Sequence, residues 1–223
     1  MTHSDRPRIQ DRVRRVPERG IYDRAEIYKI IDEALICHIG FEQYGQPYVI
    51  PTIHARDGDD LLLHGATSSR LLRHIQKGHP ICVAVTILDG LVLARSIFHH
   101  SMNYRSAVLF GTGRVLDKPA ETLRALEILS DHVMPGRWHD CRQPNDKELK
   151  ATSVAAISIA SASAKVRYGP PGDEEVDYQL PYWAGVLPVQ LQFSAPEVDP
   201  RLDFSIDLPE YVKSYKRIAK PDG

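Results

Sequence analysis

The stretch HGATSSR, residues 64–70, combines residue types that could hold an anion. It follows a run of leucines typical of a β-strand, and it precedes a segment whose apolar residues share one helical face. The start of a helix exposes backbone N–H groups and the positive end of its dipole, to which Ser68, Ser69 and Arg70 add hydroxyl donors and a cation. This pattern suits a phosphate group, although a hydroxyl here is also an ordinary helix cap.

His64 ends the strand immediately before that turn. Histidine ordinarily titrates near neutral pH, so this imidazole could exchange a proton with a ligand held at the turn. A hydrogen-bonded histidine at the rim of a sheet is the alternative, and the position alone leaves both interpretations open.

The strand YVIPTIH contains Pro51, which cannot donate a hydrogen bond to a neighbouring strand. We therefore expect an edge strand, or a backbone that faces a ligand instead of another strand. A flat ring could lie there, with Thr52 and the adjacent peptide groups as polar contacts.

Other chemical signals are weak. His99 and His100 are neighbours on a predicted strand, so they point to opposite faces, and no HExxH or paired CxxC spacing supports a metal site. The GTG at 111–113 lacks the third glycine of a dinucleotide-binding loop and is interpreted as a β-bulge. The sequence also lacks the GxSxG and phosphate-loop motifs of serine hydrolases and nucleotide triphosphatases.

The composition limits the classes of protein to which this chain could belong. The 223 residues are 43% hydrophobic, which suffices for one large core, and 28 basic residues balance 29 acidic ones, so charge predicts neither a nucleic-acid nor a membrane partner. No segment approaches the roughly 20 apolar residues that span a bilayer. Three cysteines without CxxC spacing are typical of a reducing compartment, so we expect a soluble cytoplasmic protein.

The chain divides into three parts. Residues 1–19 form an arginine-rich arm, which we interpret as solvated or wrapped on a subunit, and residues 194–223 form a tail broken by proline.

Residues 20–193 contain six or seven strands and three helices. The helices begin after Asp23, at the hydroxyl residues 67–69 and at Pro119, with Leu123, Leu126 and Leu129 as the buried stripe of the third. Asp89–Gly90 predicts a hairpin turn, and 183–193 predicts a last strand. Strands follow strands without helical crossovers, which favours an antiparallel barrel.

With these elements in order, the chain resembles the pyridoxamine 5'-phosphate oxidase-like flavin-binding split barrels, and more closely their nitroimidazole-resistance (Nim-type) branch. The resemblance is carried mainly by GQPYVIPT (45–52), LHGATSSRLLR (63–73), HHSMNYRS (99–106), MPGRW (134–138), SAKVR (163–167) and WAGVLPVQL (183–191).

The resemblance implies a mainly β, six-stranded antiparallel split barrel that forms a homodimer, with FMN at the interface. It assigns Ser69 and Arg70 to the FMN phosphate and the strand bearing Pro51, Thr52 and Ile53 to the flavin ring, with His64 beside the flavin. Further cofactor contacts are implied for Ser68, Tyr104, Arg105, Ser106, Lys165, Arg167 and Trp183. Leu71 replaces the lysine of the oxidases, so Lys165 or Arg167 would supply the missing charge, and the oxidases' C-terminal substrate residues have no match here.

Three functions follow as hypotheses. The first is an FMN-dependent oxidoreductase that reduces a small flat acceptor, with His64 as proton donor. The second is a flavin carrier or sensor without turnover. The third is a haem-binding protein on the same barrel, since its histidines are possible axial ligands.

Overall fold

The computed structural model describes residues 9–216, which form eleven β-strands and few helices. The strands are β1 (Gly20–Ile21), β2 (Ile36–Gln43), β3 (Gln46–Ile53), β4 (Ala55–Asp57), β5 (Asp60–Ala66), β6 (Ile81–Leu93), β7 (Ser101–Gly111), β8 (Gly113–Val115), β9 (Thr152–Ser158), β10 (Ala162–Arg167) and β11 (Gly185–Pro188). The α-helices are α1 (Arg24–Glu33), α2 (Arg70–Gln76), α3 (Pro119–Val133), α4 (Asp146–Ala151) and α5 (Glu210–Lys213).

The strands form two antiparallel sheets. The larger has the order β1-β10-β7-β6-β2-β3, with β11 paired to the far end of β6, and the smaller has the order β4-β5-β9-β8. Neither sheet closes on itself, so the barrel is split. The predicted fold class is confirmed, although the strand count exceeds six, in part because the chain changes sheets in the middle of two predicted strands.

The first of these breaks is at His54, inside the predicted strand YVIPTIHAR. Residues before it pair with β2 in the larger sheet, and residues after it pair with β5 in the smaller one. His54 is fully buried at the corner, and its Nε2 lies 2.9 Å from the carbonyl oxygen of Ile31 in α1. β3 is an edge strand, as Pro51 predicted.

The main core lies between the two sheets and is covered by α1 and α2. Asp23 caps α1 as predicted, and Ile27, Ile30 and Ile31 enter this core. A second apolar cluster lies on the opposite side of the smaller sheet, under α3. The predicted buried face of α3 is wrong in part. Leu129 is buried and Leu126 packs beside it, but Leu123 is exposed. The helix turns Thr122 and Ala125 toward the sheet in its place.

The predicted hairpin turn at Asp89–Gly90 is also wrong. β6 continues through these residues with a bulge between Leu88 and Gly90, and Gly90 pairs with Pro188 of β11. A Cβ on Gly90 would lie 3.0 Å from Cγ1 of Val186, so glycine here permits the approach of another strand. The chain reverses later, in a loop whose Arg95 and Ser96 N–H groups donate to the carboxylate of Asp173.

The GTG segment is not a bulge within one strand, as predicted. β7 ends at Gly111 in the larger sheet, and β8 begins at Gly113 in the smaller sheet. An added Cβ on Gly113 would lie 2.8 Å from Cγ2 of Ile75 and 3.1 Å from the carbonyl oxygen of Ala156. This glycine therefore marks the point where α2 packs directly on backbone.

We expect Gly113→Ala to lower the free energy of unfolding by about 1–3 kcal/mol, because the methyl group must displace a buried isoleucine and a strand backbone. Gly111→Ala is the matched control, since no atom lies within 4 Å of its added Cβ. Urea unfolding of the two variants measures the difference, and equal midpoints would contradict the packing argument.

Both ends of the described chain dock on the domain. Ser161 donates to the buried carboxylate of Asp11 at 2.6 Å, so the part of the arginine-rich arm that the structure describes is fastened to its own subunit. Residues 1–8 of that arm, including Arg6 and Arg8, lie outside the described residues. At the other end, Tyr215 donates to the carbonyl oxygen of Val133 at 2.6 Å. Only Gly185–Pro188 of the predicted last strand pairs with the sheet.

Candidate functional site

A cavity of about 710 Å³ opens beside the turn that leads into α2. Its walls come from the β2–β3 hairpin, from the turn and α2, and from the segment that follows α2. The lining residues are Glu42, Gln43, Tyr44, Ser68, Arg70, Arg73, His74, Lys77, His79 and Pro80. The stretch singled out first in the sequence therefore borders a large open cavity.

Cations dominate the α2 wall of this cavity. Arg70, Arg73 and Lys77 follow each other at intervals of three and four residues, so they share one face of the helix, and they are exposed. Glu42 is the only acidic residue among the lining residues. The cavity wall is therefore suited to an anionic ligand.

Arg70 lies over the ring of Tyr48 on β3, with its guanidinium carbon 4.4 Å from the ring centroid. This stacking holds the guanidinium plane at the cavity mouth while its N–H groups remain at the edge of the ring. A planar guanidinium can donate two parallel hydrogen bonds to a phosphate.

The two serines of the turn differ in role. Ser68 lines the cavity, whereas Ser69 is the N-cap of α2 and accepts a hydrogen bond from the N–H of Leu72 at 3.5 Å. The ordinary capping role left open by the sequence is therefore present. A hydroxyl that accepts through its oxygen still has its own proton to donate, so capping does not prevent a ligand contact.

On the edge strand β3, alternate residues point to different sides. Pro51 pairs with His38 and Ile53 pairs with Ile36, all on the outer face of the sheet, where Ile36 is 52% exposed. Thr52 pairs with the buried Cys37, so its side chain points toward the core. Only backbone groups of Thr52 are available on the outer side.

A second group of predicted site residues lies together on β7 and β10. Tyr104 pairs with Arg167 and Ser106 pairs with Lys165, on the same outer face. Four strand spacings of about 4.8 Å separate β10 from β3 in the sheet order, or roughly 19 Å along the sheet. Within one subunit, the two groups of predicted residues are thus on different parts of the sheet.

Arg105 points the opposite way. It donates to Glu33 at 2.7 Å and to Asp89 at 2.7 and 2.9 Å, and its hydrogen bonds to the carboxylates of Asp89 and Glu33 hold the pKa of Arg105 above its ordinary value. Its neighbours in the sheet, Ile87 and Val166, pack on the main core. The guanidinium therefore joins α1 to the bulge of β6 at the end of the barrel.

We expect Arg105→Gln to lower the free energy of unfolding by about 1–2 kcal/mol, since it leaves two neighbouring carboxylates without their shared cation, and the site is only partly exposed. Chemical denaturation measures this loss. If Arg105 also binds a ligand, the folded variant will retain less of that ligand than the unmodified protein. If both proteins retain the same amount, the role of Arg105 is limited to its ion pairs with Glu33 and Asp89.

His64 and Trp183 lie outside the cavity lining. His64 is exposed on β5 opposite Val154, on the side of the smaller sheet that faces α3, and within residues 9–216 it makes no hydrogen bond or ion pair. Trp183 is 70% exposed and packs beside Gly185 at the start of β11.

Sequence reasoning missed several lining residues of the cavity, among them Arg73, Lys77 and His79, and it missed Tyr48, on which Arg70 stacks. The spacing of Arg70, Arg73 and Lys77 within RLLRHIQK was a readable signal, because it puts three cations on one helical face. Nothing in the sequence indicated that Tyr48 would support Arg70, since that contact joins two distant elements.

Two features are absent from the described part of the chain. Within residues 9–216, histidine, cysteine and acidic side chains form no group of three that could hold a metal ion. Over the same residues, no helix has the length and apolar character needed to cross a bilayer.

Fold and cavity together define a split-barrel protein with a cationic ligand cavity at the strand-to-helix turn. A family model described as pyridoxamine 5'-phosphate oxidase matches residues 23–166, and the chain belongs to this family. No curated protein was found to match.

Two solved structures are similar to this chain over most of its length, and a third over about two thirds. The flavocytochrome Anf3 from Azotobacter vinelandii is 38% identical with a TM-score of 0.90, and the match covers 94% of this chain and 98% of that one. The FAD and haem binding protein from Mycobacterium smegmatis is 36% identical with a TM-score of 0.84, covering 87% and 96%. A candidate 5-nitroimidazole resistance protein from Bacteroides thetaiotaomicron is 24% identical with a TM-score of 0.56, covering 66% and 86%; it shares the fold.

Proposed function

We propose that this protein is a flavin-binding oxidoreductase whose cofactor is anchored by its phosphate in the cavity beside α2. The observation that carries the proposal is the row of exposed cations Arg70, Arg73 and Lys77 at that cavity, next to the hydroxyl of Ser68. Ser69 would add its hydroxyl proton. Leu71 replaces the lysine that the oxidases have after their Ser-Arg pair. Arg73 and Lys77 supply the missing positive charge from the next turns of the helix.

The size of the cavity bears on which flavin we propose. FMN, the expectation from the sequence, has one phosphate, whereas FAD has two phosphates and an adenosine. A volume of about 710 Å³ with three cations exceeds what one phosphate requires, and the similar M. smegmatis protein is described as binding FAD. FAD is therefore the better candidate for this cavity, with FMN as the second.

The flavin ring is proposed to lie against the edge strand β3, on the outer face of Pro51 and Ile53 and the backbone of Thr52. Tyr104, Ser106, Lys165 and Arg167 are too far along the sheet to contact the same ring from the same subunit. In a homodimer, they and Trp183 would meet the cofactor of the partner. Apolar residues exposed on or beside this face, among them Ile36, Val49, Leu88 and Met102, fit such an interface.

A bound flavin would supply the redox chemistry, taking up two electrons and passing them to a small flat acceptor. The protein's part is to bind and orient the cofactor and to move protons. His64 lies four residues before Ser68 on the same strand and turn, and its exposed imidazole is the proposed proton donor. A carrier or sensor would have the same binding site without electron transfer to an acceptor.

Haem is a second candidate ligand, since two similar proteins of 36–38% identity are described as a flavocytochrome and as a FAD and haem binding protein. An exposed histidine without an internal partner, such as His64, could ligate the iron. In that case, the electron acceptor of the flavin would be the haem. The Nim-type branch is the remaining alternative, and it would use the flavin site with a nitro compound.

The localisation that we propose is cytoplasmic. The thiols Cys37, Cys82 and Cys141 are free, and the pKa of the buried Cys37 thiol is raised by burial to about 12. Unpaired thiols of this kind are typical of a reducing compartment.

An absorption spectrum of the purified protein, followed by identification of the released cofactor, tests the proposal. We expect flavin bands at about one flavin per chain, FAD in the extract, and a Soret band if haem is present. Stopped-flow mixing of the reduced protein with oxygen or a nitroaromatic then separates an oxidoreductase from a carrier. A protein that retains neither FAD nor FMN after incubation and desalting would refute the central claim.

A further inference from the structure

A second, smaller cavity lies at the other end of the larger sheet, beside its edge strand β1. It has a volume of about 270 Å³ and is lined by Glu18, Arg19, Ile21, Val166, Arg167 and Tyr168. Both arginines lie outside residues 23–166, the segment that the family model matches. The cavity thus places Arg19, from the turn before β1, beside Arg167 at the end of the SAKVR stretch.

Arg167 makes only neutral contacts. Its guanidinium donates to Oδ1 of Asn103, to the carbonyl oxygen of Gly169 at 3.3 Å and to that of Pro170 at 3.1 Å. These three bonds use three of the five N–H donors of a guanidinium and leave two. The bonds fix the plane of the group, but no acceptor among them neutralises its charge.

Arg19 brings a second positive charge next to this one. It ends the short turn that precedes β1, and burial together with the charge of Arg19 lowers the pKa of Arg167. Within residues 9–216, neither guanidinium forms an ion pair; Glu18, although it lines the same cavity, is exposed and bonded to neither. Lys165, two residues before Arg167 on the same face of β10, adds a third cation nearby.

Two adjacent guanidinium groups that are half removed from water and unneutralised repel each other, and a bound anion would remove that repulsion. The fixed plane of Arg167 favours an oxyanion that accepts two parallel hydrogen bonds. The volume limits the bound portion to a small group.

We propose that Arg19 and Arg167 form a binding site for a small oxyanion, a phosphate or carboxylate group, separate from the cavity at α2. The group belongs either to a free small anion or to a cofactor bound by a second copy of the chain. Both sources present the same chemistry to the two arginines; the first does not depend on flavin binding, whereas the second rests on the proposed function.

The test is calorimetric titration of the full-length protein with inorganic phosphate, in an Arg70→Ala background that weakens binding at the larger cavity. We expect Arg19→Gln to weaken phosphate binding at least tenfold, and Glu18→Gln to strengthen it a few-fold by removing a repelling carboxylate. Arg12→Gln, an exposed change in the same arm, is the control and should have no effect. Arg19→Gln leaves all three hydrogen bonds of Arg167 in place. It therefore tests the positive charge of Arg19 while the guanidinium plane of Arg167 stays fixed.

The same titration on protein with the unmodified Arg70, before and after loading with flavin, separates the two sources. Binding that depends on Arg19 and persists in the loaded protein identifies a free anion, and Arg19-dependent binding that disappears on loading identifies a group of the cofactor. Absence of binding, or binding equal in Arg19→Gln and its parent, overturns the proposal. Neither outcome affects the test of flavin binding, because that test measures whether the protein retains flavin at the cavity that contains Arg70.

Discussion

Arg70→Ala is expected to weaken flavin binding by roughly 10- to 100-fold. The variant removes a charged group that would donate hydrogen bonds to the flavin phosphate, a contact worth about 1.5–3 kcal/mol, and 1.4 kcal/mol corresponds to a factor of ten. Arg70 is exposed, and its stacking on Tyr48 is at the surface, so the fold should remain intact. Titration of the apoprotein with FMN and with FAD, followed by flavin fluorescence, measures the loss.

Two companion variants separate charge from geometry. Arg70→Lys retains the charge but loses the planar pair of donors, so it should fall between Ala and the unmodified protein. Arg142→Ala removes another exposed arginine, which pairs with Glu148 of α4 and does not line the cavity, and it should bind flavin normally. If all three variants bind flavin as tightly as the parent, the phosphate is not at this cavity.

The same series distinguishes FAD from FMN. Lys77→Ala removes a cation two helical turns from the serine turn, where a second phosphate would lie. We expect it to weaken FAD more than FMN, whereas Arg70→Ala should weaken both. An equal effect of Lys77→Ala on the two flavins would favour FMN as the natural cofactor.

His64→Ala is expected to slow oxidation of the reduced protein about 100-fold while flavin affinity changes less than twofold. General acid catalysis contributes about 10²–10⁴ in rate, and His64 makes no hydrogen bond or ion pair with another residue of 9–216 through which its loss could disturb the cavity. Single-turnover stopped-flow measurements give the rate. His139→Ala, an exposed histidine beside Glu127 at the end of α3, is the control.

If haem is also bound, His64→Ala becomes a test of ligation. Loss of the Soret band with retained flavin would assign His64 to the iron, whereas a retained Soret band with slow oxidation would assign it to proton transfer. Rates and spectra that match those of the parent would exclude His64 from both roles.

Sequence patterns predicted much of the fold because local rules govern those parts. Asp23 and Ser69 cap helices where their side chains can accept backbone N–H bonds, and Pro51 identified an edge strand because it has no N–H to donate. The mainly β antiparallel character followed from strands that succeed each other without crossovers. The hydroxyl and cationic groups of the turn at 64–70 were also readable, since they follow from residue types alone; the anion that they are predicted to bind remains a prediction.

Other features depend on contacts between distant segments. Asp89–Gly90 has the local signature of a turn, but the approach of β11 and the ion pair between Asp89 and Arg105 hold it inside a strand. The corners at His54 and Thr112, where the chain passes between sheets, are set by the packing of α1 and α2 and not by a local turn signal.

For the candidate site, the sequence by itself determined the turn, its serines and Arg70, because these are neighbours along the chain. Only the tertiary structure decided that Arg73 and Lys77 share their cavity, that Arg105 is used by Glu33 and Asp89, and that Arg19 lies beside Arg167. Side-chain direction across a sheet and the meeting of elements more than a hundred residues apart depend on register and packing, which no local pattern encodes.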